Sequence, residues 1–147
     1  MPSLITNLLT NGIFLSILLA GSISQLAKIL IIILKHKQKF YLNDLIVTGG
    51  MPSTHSAIVG SLTAIIWLNQ DFSPLFFAVL AFSLITLRDA MGVRRSVGVE
   101  GKIIEKIVKY EKIKISKFHY SLGHSLVEVF VGLIIGFGSA VFSFNFV

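Results

Sequence analysis

Long runs of apolar residues are the feature that most constrains the fold of this chain. A helix needs about 20 apolar residues to cross the hydrocarbon core of a bilayer. The first and last runs reach that length, whereas the two between them are shorter and fit a thinned bilayer or embedded helix ends. The runs comprise residues 13–34, about 53–68, about 74–87 and 124–146.

The composition supports a membrane location. Of 147 residues, 54% are hydrophobic and 14% are charged, whereas soluble domains contain about a quarter charged residues. The formal net charge of +6 does not indicate a nucleic-acid partner, because the basic residues lie in loops and the phenylalanines are not interleaved with arginines. We therefore predict an all-α integral membrane helical bundle. It forms one domain over residues 1–147, with about four transmembrane helices and membrane lipids as its surroundings.

The polar segments predict the orientation. Residues 35–39 contain three lysines and residues 88–117 contain nine basic against four acidic residues, whereas residues 69–73 contain only Asp71. The positive-inside rule places both basic segments in the cytoplasm and both termini on the other side. A cleavable signal peptide is the alternative for the first run, which follows an interfacial lead-in from about Leu4. That run lacks a basic region before it and is too long.

Residues 99–115 have the pattern of an amphipathic helix. Their apolar residues recur at helical spacing, and lysines and glutamates fill the other positions: Ile103, Ile104, Ile107, Val108, Ile113 and Ile115 are apolar. We expect a cytoplasmic helix on the membrane surface or over the mouth of the bundle. A solvated connector helix is an equal alternative.

A glycine-rich polar turn over residues 49–57 precedes the second run. Gly50 permits unusual backbone angles, Pro52 stiffens the chain, and Ser53 or Thr54 can cap the helix. Free N–H groups at a helix N-terminus, with His55 beside them, favour an anion. Such a sequence is more often a simple turn. Here, however, the predicted topology brings further polar groups to the same cytoplasmic side.

His124 and Glu128, at the start of the fourth run, are spaced i, i+4 and share a helix face. A carboxylate on one imidazole nitrogen fixes the tautomer and leaves the other nitrogen free as a nucleophile or base. The alternative is a purely structural hydrogen bond. Gly123, immediately before His124, is a candidate for backbone contact with phosphate, whereas His36 and His119 have no assigned role.

The remaining candidates are cations. Arg94 and Arg95 can clamp phosphate oxygens or contact lipid headgroups. Asp89 can pair with Arg88 or orient another arginine. Lys28 lies inside the first run, where it either faces the site or extends to the membrane surface. Two histidines, several cations and two helix N-termini together suit phosphoryl transfer. No carboxylate cluster indicates Mg²⁺ and no histidine spacing indicates Zn²⁺, so we expect neither a metal nor a cofactor.

These motifs resemble the type 2 phosphatidic acid phosphatase superfamily, which includes vanadium haloperoxidases, and most closely its divergent bacterial membrane branch. The resemblance rests on residues 49–56, 89–95 and 123–128. It implies that His124 is a nucleophile supported by Glu128, His55 a general acid and Ser53 a phosphate ligand. Thr54 stands where the superfamily has glycine, and Glu128 where it has aspartate. Lys28 is the candidate for the family's lysine.

The resemblance implies a metal-independent phosphatase in the bacterial cell membrane. It would act through a phosphohistidine on phosphatidic acid or on a polyprenyl phosphate or pyrophosphate. The alternatives are a non-catalytic binder or carrier of a lipid phosphate, and a structural membrane subunit. Gly132 and Gly136 form a small-xxx-small pair that serves either packing within the bundle, which we favour, or a homodimer.

Overall fold

The computed structural model describes residues 10–36, 50–113 and 123–147, and within them the chain is helical, without strands. The helices are α1 Gly12–His36, α2 Thr54–Gln70, α3 Pro74–Met91, α4 Val93–Tyr110 and α5 Leu126–Phe146. The predicted all-α membrane bundle is confirmed. The interfacial lead-in, most of the basic loop at residues 35–39, and His119 lie outside the described residues.

The number of spanning helices differs from the predicted four. Three stretches are long and apolar enough to cross a membrane within the described residues, namely Gly12–Leu34, Pro74–Tyr110 and Leu126–Phe146. With 17 residues, α2 is about 25 Å long, which is shorter than a hydrocarbon core of about 30 Å. It is also the central helix, packed against α1, α3 and α5. A helix surrounded by protein does not need the length of one that meets lipid.

Serine caps set the starts of three helices. Ser53 begins α2 by accepting a hydrogen bond from the Ser56 N–H, and Ser73 caps α3 ahead of Pro74 in the same way. Ser125 begins α5 through a reciprocal capping box with Glu128, which satisfies two otherwise unpaired N–H groups. The short Asp71–Ser73 turn makes α2 and α3 antiparallel.

The predicted amphipathic helix is present as α4, but it begins at Val93 and ends at Tyr110 instead of spanning residues 99–115. Gly92 separates it from α3. The Gly92 N–H donates to the Arg88 carbonyl at 2.8 Å, and the Gly92 carbonyl accepts from the Ser96 N–H at 3.0 Å. Arg94 and Arg95 therefore lie in the first turn of α4 and not in a loop. Among the described helices, α4 contacts α3 alone.

Small side chains, many of them serines, lie inside the bundle, and large apolar side chains lie outside it. Ser16 hydrogen-bonds to Ser61 across α1 and α2, and the Ser143 hydroxyl of α5 donates to the Gly12 carbonyl at 2.9 Å. Large apolar side chains cover the outer surface, including Leu26, Leu30, Phe77, Phe82, Ile85, Phe130 and Ile134. This arrangement is expected in lipid, where helices associate through close packing and interhelical hydrogen bonds.

Gly132 and Gly136 bring α5 against α2. A Cβ at Gly132 would lie 2.4 Å from the Ser53 carbonyl oxygen, and one at Gly136 would lie 2.3 Å from that of Ala57. The small-xxx-small pair is therefore used inside the bundle. A homodimer stays a prediction and would need another surface.

Candidate functional site

The start of α2, the junction of α3 and α4, and the start of α5 meet at one end of the bundle. The Ser53 N–H donates to the Glu128 carbonyl at 3.0 Å, and the His124 N–H donates to the Ala90 carbonyl at 3.0 Å. Gly123 has a φ of +62°, and a Cβ there would lie 2.5 Å from the Arg95 backbone nitrogen. Only glycine fits this close approach with a left-handed backbone. The segments that carry the candidate residues are therefore tied together by their backbones.

His124 is buried, with 4% of its surface exposed. Its Nδ1 lies 3.2 Å from Glu128 Oε2. The expected contact is present, but His124 precedes the Ser125 cap and lies outside α5, so the two residues do not share a helix face. The same carboxylate oxygen accepts the Ser125 N–H at 3.1 Å. Glu128 therefore both caps α5 and orients the imidazole, leaving Nε2 as the nitrogen that is free to react.

His55 lies beside His124 in the first turn of α2. The two rings have their centroids 6.3 Å apart at an interplanar angle of 61°. His55 is exposed whereas His124 is buried. A group of phosphate size between the rings would contact both imidazoles, which is the arrangement that a nucleophile and a general acid require.

Lys28 faces the interior of the bundle. It is 5% exposed, and it interacts electrostatically with Glu128 and with His55. The alternative in which Lys28 extends to the membrane surface therefore does not apply. A buried ammonium in a membrane helix needs an anionic partner, and Glu128 is one such partner.

The two arginines are placed differently. Arg94 Nε donates to Asp89 Oδ2 at 2.7 Å, and both groups interact electrostatically with His55. Asp89 therefore pairs with Arg94, not with the adjacent Arg88. Arg95 lines a cavity of about 440 Å³ with Ser96 and Glu100, at the junction of α3 and α4.

Side chains of the polar turn make mainly structural contacts. The Ser53 hydroxyl is fully buried and accepts from the Ser56 hydroxyl at 2.9 Å. The Thr54 hydroxyl donates to Gln25 Oε1 at 3.2 Å. Gly50 has a φ of +82° and precedes a cis Met51–Pro52 bond, and Pro52 is buried. The Ser53 and Thr54 hydroxyls therefore both have hydrogen-bond partners within the protein.

Gln25 is the site neighbour that the sequence interpretation missed. It lies three residues before Lys28 on α1, so the two polar side chains share a helix face. A pair of polar residues at helical spacing within an apolar run indicates a face directed into the bundle. That signal was present in the sequence.

Within the described residues, no three His, Asp or Glu side chains are grouped in a way that could hold a metal ion. The site instead combines two imidazoles, a carboxylate, an ammonium and a guanidinium at the end of a helical bundle. These features define an integral membrane protein with a two-histidine polar site that suits an anion.

The comparisons with known proteins give the family. The chain matches the model of the divergent PAP2 family over residues 9–139, and it belongs to that family, as the motifs predicted. It is also 38% identical over 146 residues to a Bacillus subtilis (strain 168) protein described as uncharacterized membrane protein YuiD, covering 88% of this chain and 91% of the relative. No solved structure matches the chain.

Proposed function

We propose that this protein is a membrane-embedded, metal-independent phosphatase acting on a phosphorylated lipid. The substrate is phosphatidic acid or a polyprenyl phosphate or pyrophosphate. One observation carries the proposal. The Nδ1 atom of buried His124 is hydrogen-bonded to Glu128, and the His124 ring centroid lies 6.3 Å from that of His55. Membership of the divergent PAP2 family supports the same chemistry.

In the first step, His124 Nε2 attacks phosphorus and the bond between phosphorus and the leaving oxygen breaks. His55 donates a proton to that oxygen, which departs as the lipid alcohol or, from a pyrophosphate, as the lipid monophosphate. In the second step, a water molecule gives its proton to His55 and attacks the phosphohistidine. The P–N bond breaks, inorganic phosphate leaves, and both histidines return to their starting states.

Cations stabilise the charge that develops on the phosphoryl oxygens. Lys28 supplies a buried ammonium near Glu128, and Arg94 supplies a guanidinium that Asp89 holds at 2.7 Å. The secondary candidates for holding the phosphate, by their position near it or by their backbone N–H groups, are Arg95, Ser53, Thr54 and Gly123. A fixed cation that is buried, as Lys28 is, stabilises such charge far more than a cation in solution. We place the site at the cytoplasmic face of a bacterial cell membrane, from the lysines and arginines of the basic segments.

A non-catalytic lipid-phosphate binder is the second candidate. It is favoured by the use of Glu128 in the capping box, which gives the His124–Glu128 pair a structural purpose without chemistry. The binder needs the same cations but releases no phosphate. The two candidates therefore differ in turnover and not in which residues bind.

The test is phosphate release from a panel of phosphorylated lipids by purified protein in EDTA. We expect release by the wild type, none above background by His124→Ala, and a loss of about 10²-fold or more for His55→Ala. Asn145→Ala, a polar change at the exposed far end of α5, is the control and should retain full activity. Undiminished turnover by His124→Ala contradicts the mechanism. A wild type that binds the phosphorylated lipids and cleaves none of them identifies the binder.

A further inference from the structure

A groove of about 430 Å³ lies between α3 and α5, with α2 as its floor. These outer helices make few contacts with each other, which leaves the space between them open. Leu84 and Leu87 of α3 form one wall, and Leu133 and Phe137 of α5 form the other. Gly60 of α2 lets Leu133 approach closely, since a Cβ there would lie 2.9 Å from the Leu133 side chain.

The groove presents an apolar surface, because the hydroxyl groups among its lining residues are already hydrogen-bonded within the protein. Among its lining residues, the hydroxyl side chains are those of Thr63 and Ser83. These two oxygens lie 2.8 Å apart in a mutual hydrogen bond, and the Thr63 hydroxyl also lies 2.8 Å from the Val59 carbonyl that it bonds. Both hydroxyls are therefore satisfied within the protein. What enters the groove meets methyl, methylene and aromatic groups.

One end of the groove lies near the candidate site on all three helices. On each helix, the groove residue nearest to the site is at most five positions along the chain from a site residue, which is at most about 7.5 Å of helix rise. The pairs are Gly60 with His55, Leu87 with Asp89, and Leu133 with Glu128. The far end carries the aromatic rings of Trp67, Phe72 and Phe76. Trp67 is twelve residues after His55, about 18 Å along α2.

We propose that this groove binds one hydrocarbon chain of the lipid whose phosphate occupies the histidine site. The assignment of that phosphate rests on the proposed function; the groove itself rests on its apolar lining and its position. An amphiphile with a charged head and an extended chain matches a cationic site that continues into an apolar groove. A chain that reaches Trp67 passes the middle of a hydrocarbon core of about 30 Å, so the substrate class is a lipid phosphate with at least one long chain.

The bilayer interior is as apolar as the groove, so the chain gains little hydrophobic free energy by entering it. What the groove provides is position, because a chain held along α2 aligns its phosphate with His124. Misplacement of a reacting group by about 1 Å can reduce a rate about 10²-fold. Blocking the groove should therefore lower turnover of long-chain lipids and leave a short, water-soluble phosphate ester unaffected.

The activity test compares Leu84→Phe with Ile85→Phe. Both residues are exposed neighbours on α3, at 59% and 70%, but Leu84 lines the groove and Ile85 does not. We expect Leu84→Phe to lower kcat/KM for a long-chain lipid phosphate by about tenfold or more relative to a short-chain ester. Ile85→Phe should leave that ratio at the wild-type value. Equal ratios in all three proteins overturn the proposal.

A binding test is independent of turnover. Trp67 is the single tryptophan of the chain, so its fluorescence reports on the far end of the groove. In His124→Gln protein, phosphatidic acid brominated near the methyl end of one chain should quench Trp67. The mole fraction needed should be about tenfold lower than for phosphatidylcholine with the same chain, because charge-assisted hydrogen bonds hold the phosphate monoester. Leu84→Phe should remove this preference and Ile85→Phe should keep it.

The two tests separate the proposals. Selective quenching of Trp67 without phosphate release by the wild type supports the groove and contradicts the phosphatase. Phosphate release together with equal quenching by both brominated lipids supports the phosphatase and overturns the groove. Quenching that is as strong with bromine near the carbonyl end of the chain also overturns it, because Trp67 lies about 18 Å from the histidines along α2.

Discussion

The contact between α2 and α5 at Gly132 and Gly136 is the packing feature with the clearest energetic consequence. Alanine at either position places a methyl group 2.4 Å or less from a backbone carbonyl oxygen of α2, about 1 Å inside ordinary contact distance. Overpacking of this kind destabilises by about 1–3 kcal/mol. We expect the upper end, since backbone atoms cannot move aside by a change of rotamer.

Alanine also has the higher helix propensity, by about 1 kcal/mol relative to glycine. Because the clash exceeds this gain, we expect Gly132→Ala and Gly136→Ala each to lower the free energy of unfolding by about 2 kcal/mol. Gly138→Ala is the matched control on the same helix, where nothing lies within 4 Å of a new Cβ. That variant should be unchanged or slightly more stable.

Thermal unfolding in a single detergent, followed by far-ultraviolet circular dichroism, measures these differences. Gly132→Ala should also lose activity beyond its loss of stability, because its methyl group presses on Ser53, whose N–H bonds the Glu128 carbonyl. Gly136 lies one turn further from the site and should affect activity less. Equal melting temperatures for all three alanine variants would refute the close packing of α2 on α5.

The other predictions concern the site. Glu128→Gln keeps an oxygen for the capping box but removes the charge beside His124 and Lys28, so kcat should fall about 10²-fold and the melting temperature should fall as well. Arg94→Ala should lower kcat by about 10²-fold or more, whereas Arg95→Ala, on the separate cavity, should lower it less than about tenfold; equal losses would contradict the different placement of the arginines. Lys28→Met removes the buried ammonium but keeps a side chain of similar length. It should reduce phosphate release in EDTA, while Trp67 fluorescence and helix content stay as in the wild type. Full activity would exclude Lys28 from phosphate binding.

The sequence predicted the parts of the fold that depend on local patterns. Apolar runs predicted α1, α3 and α5, and the Ser-Thr-His turn predicted the start of α2. The short spacing of His124 and Glu128 predicted their contact, which forms at the cap of α5 and not along a shared helix face. Each of these depends on residues within about one helical turn or one run. Such features follow from helix geometry and capping alone.

Features that depend on tertiary contacts were harder to predict. Lys28 is buried and interacts electrostatically with Glu128 on another helix, and the different surroundings of Arg94 and Arg95 follow from where α4 begins. That start is set by Gly92, whose hydrogen bonds close α3 and open α4. The apolar periodicity predicted that α4 begins at residue 99, six residues after its actual start at Val93. The prediction relied on the isoleucine-rich repeat and left out Val93 and Val97, which precede that repeat.

The number of helices long and apolar enough to cross a membrane, three among the described residues against about four predicted, differs for a related reason. Hydropathy treats each apolar run as if it met lipid, but α2 is enclosed by α1, α3 and α5 and its 17 residues suffice there. Its interior positions are small and often hydroxylated, such as Ser56 and Ser61, which are fully buried. In a membrane protein, polarity inside a run therefore indicates burial in the bundle as much as a boundary of the run.

The central claim is that His124 attacks phosphorus, and trapping the intermediate tests it most directly. Purified protein in EDTA is mixed with a phosphatidic acid labelled in its phosphate, quenched in base within milliseconds to seconds, and mapped by peptide mass spectrometry. We predict acid-labile phosphate on the peptide containing His124, and no label in His124→Ala. Phosphate release without label on His124, or label on another residue, would contradict the account.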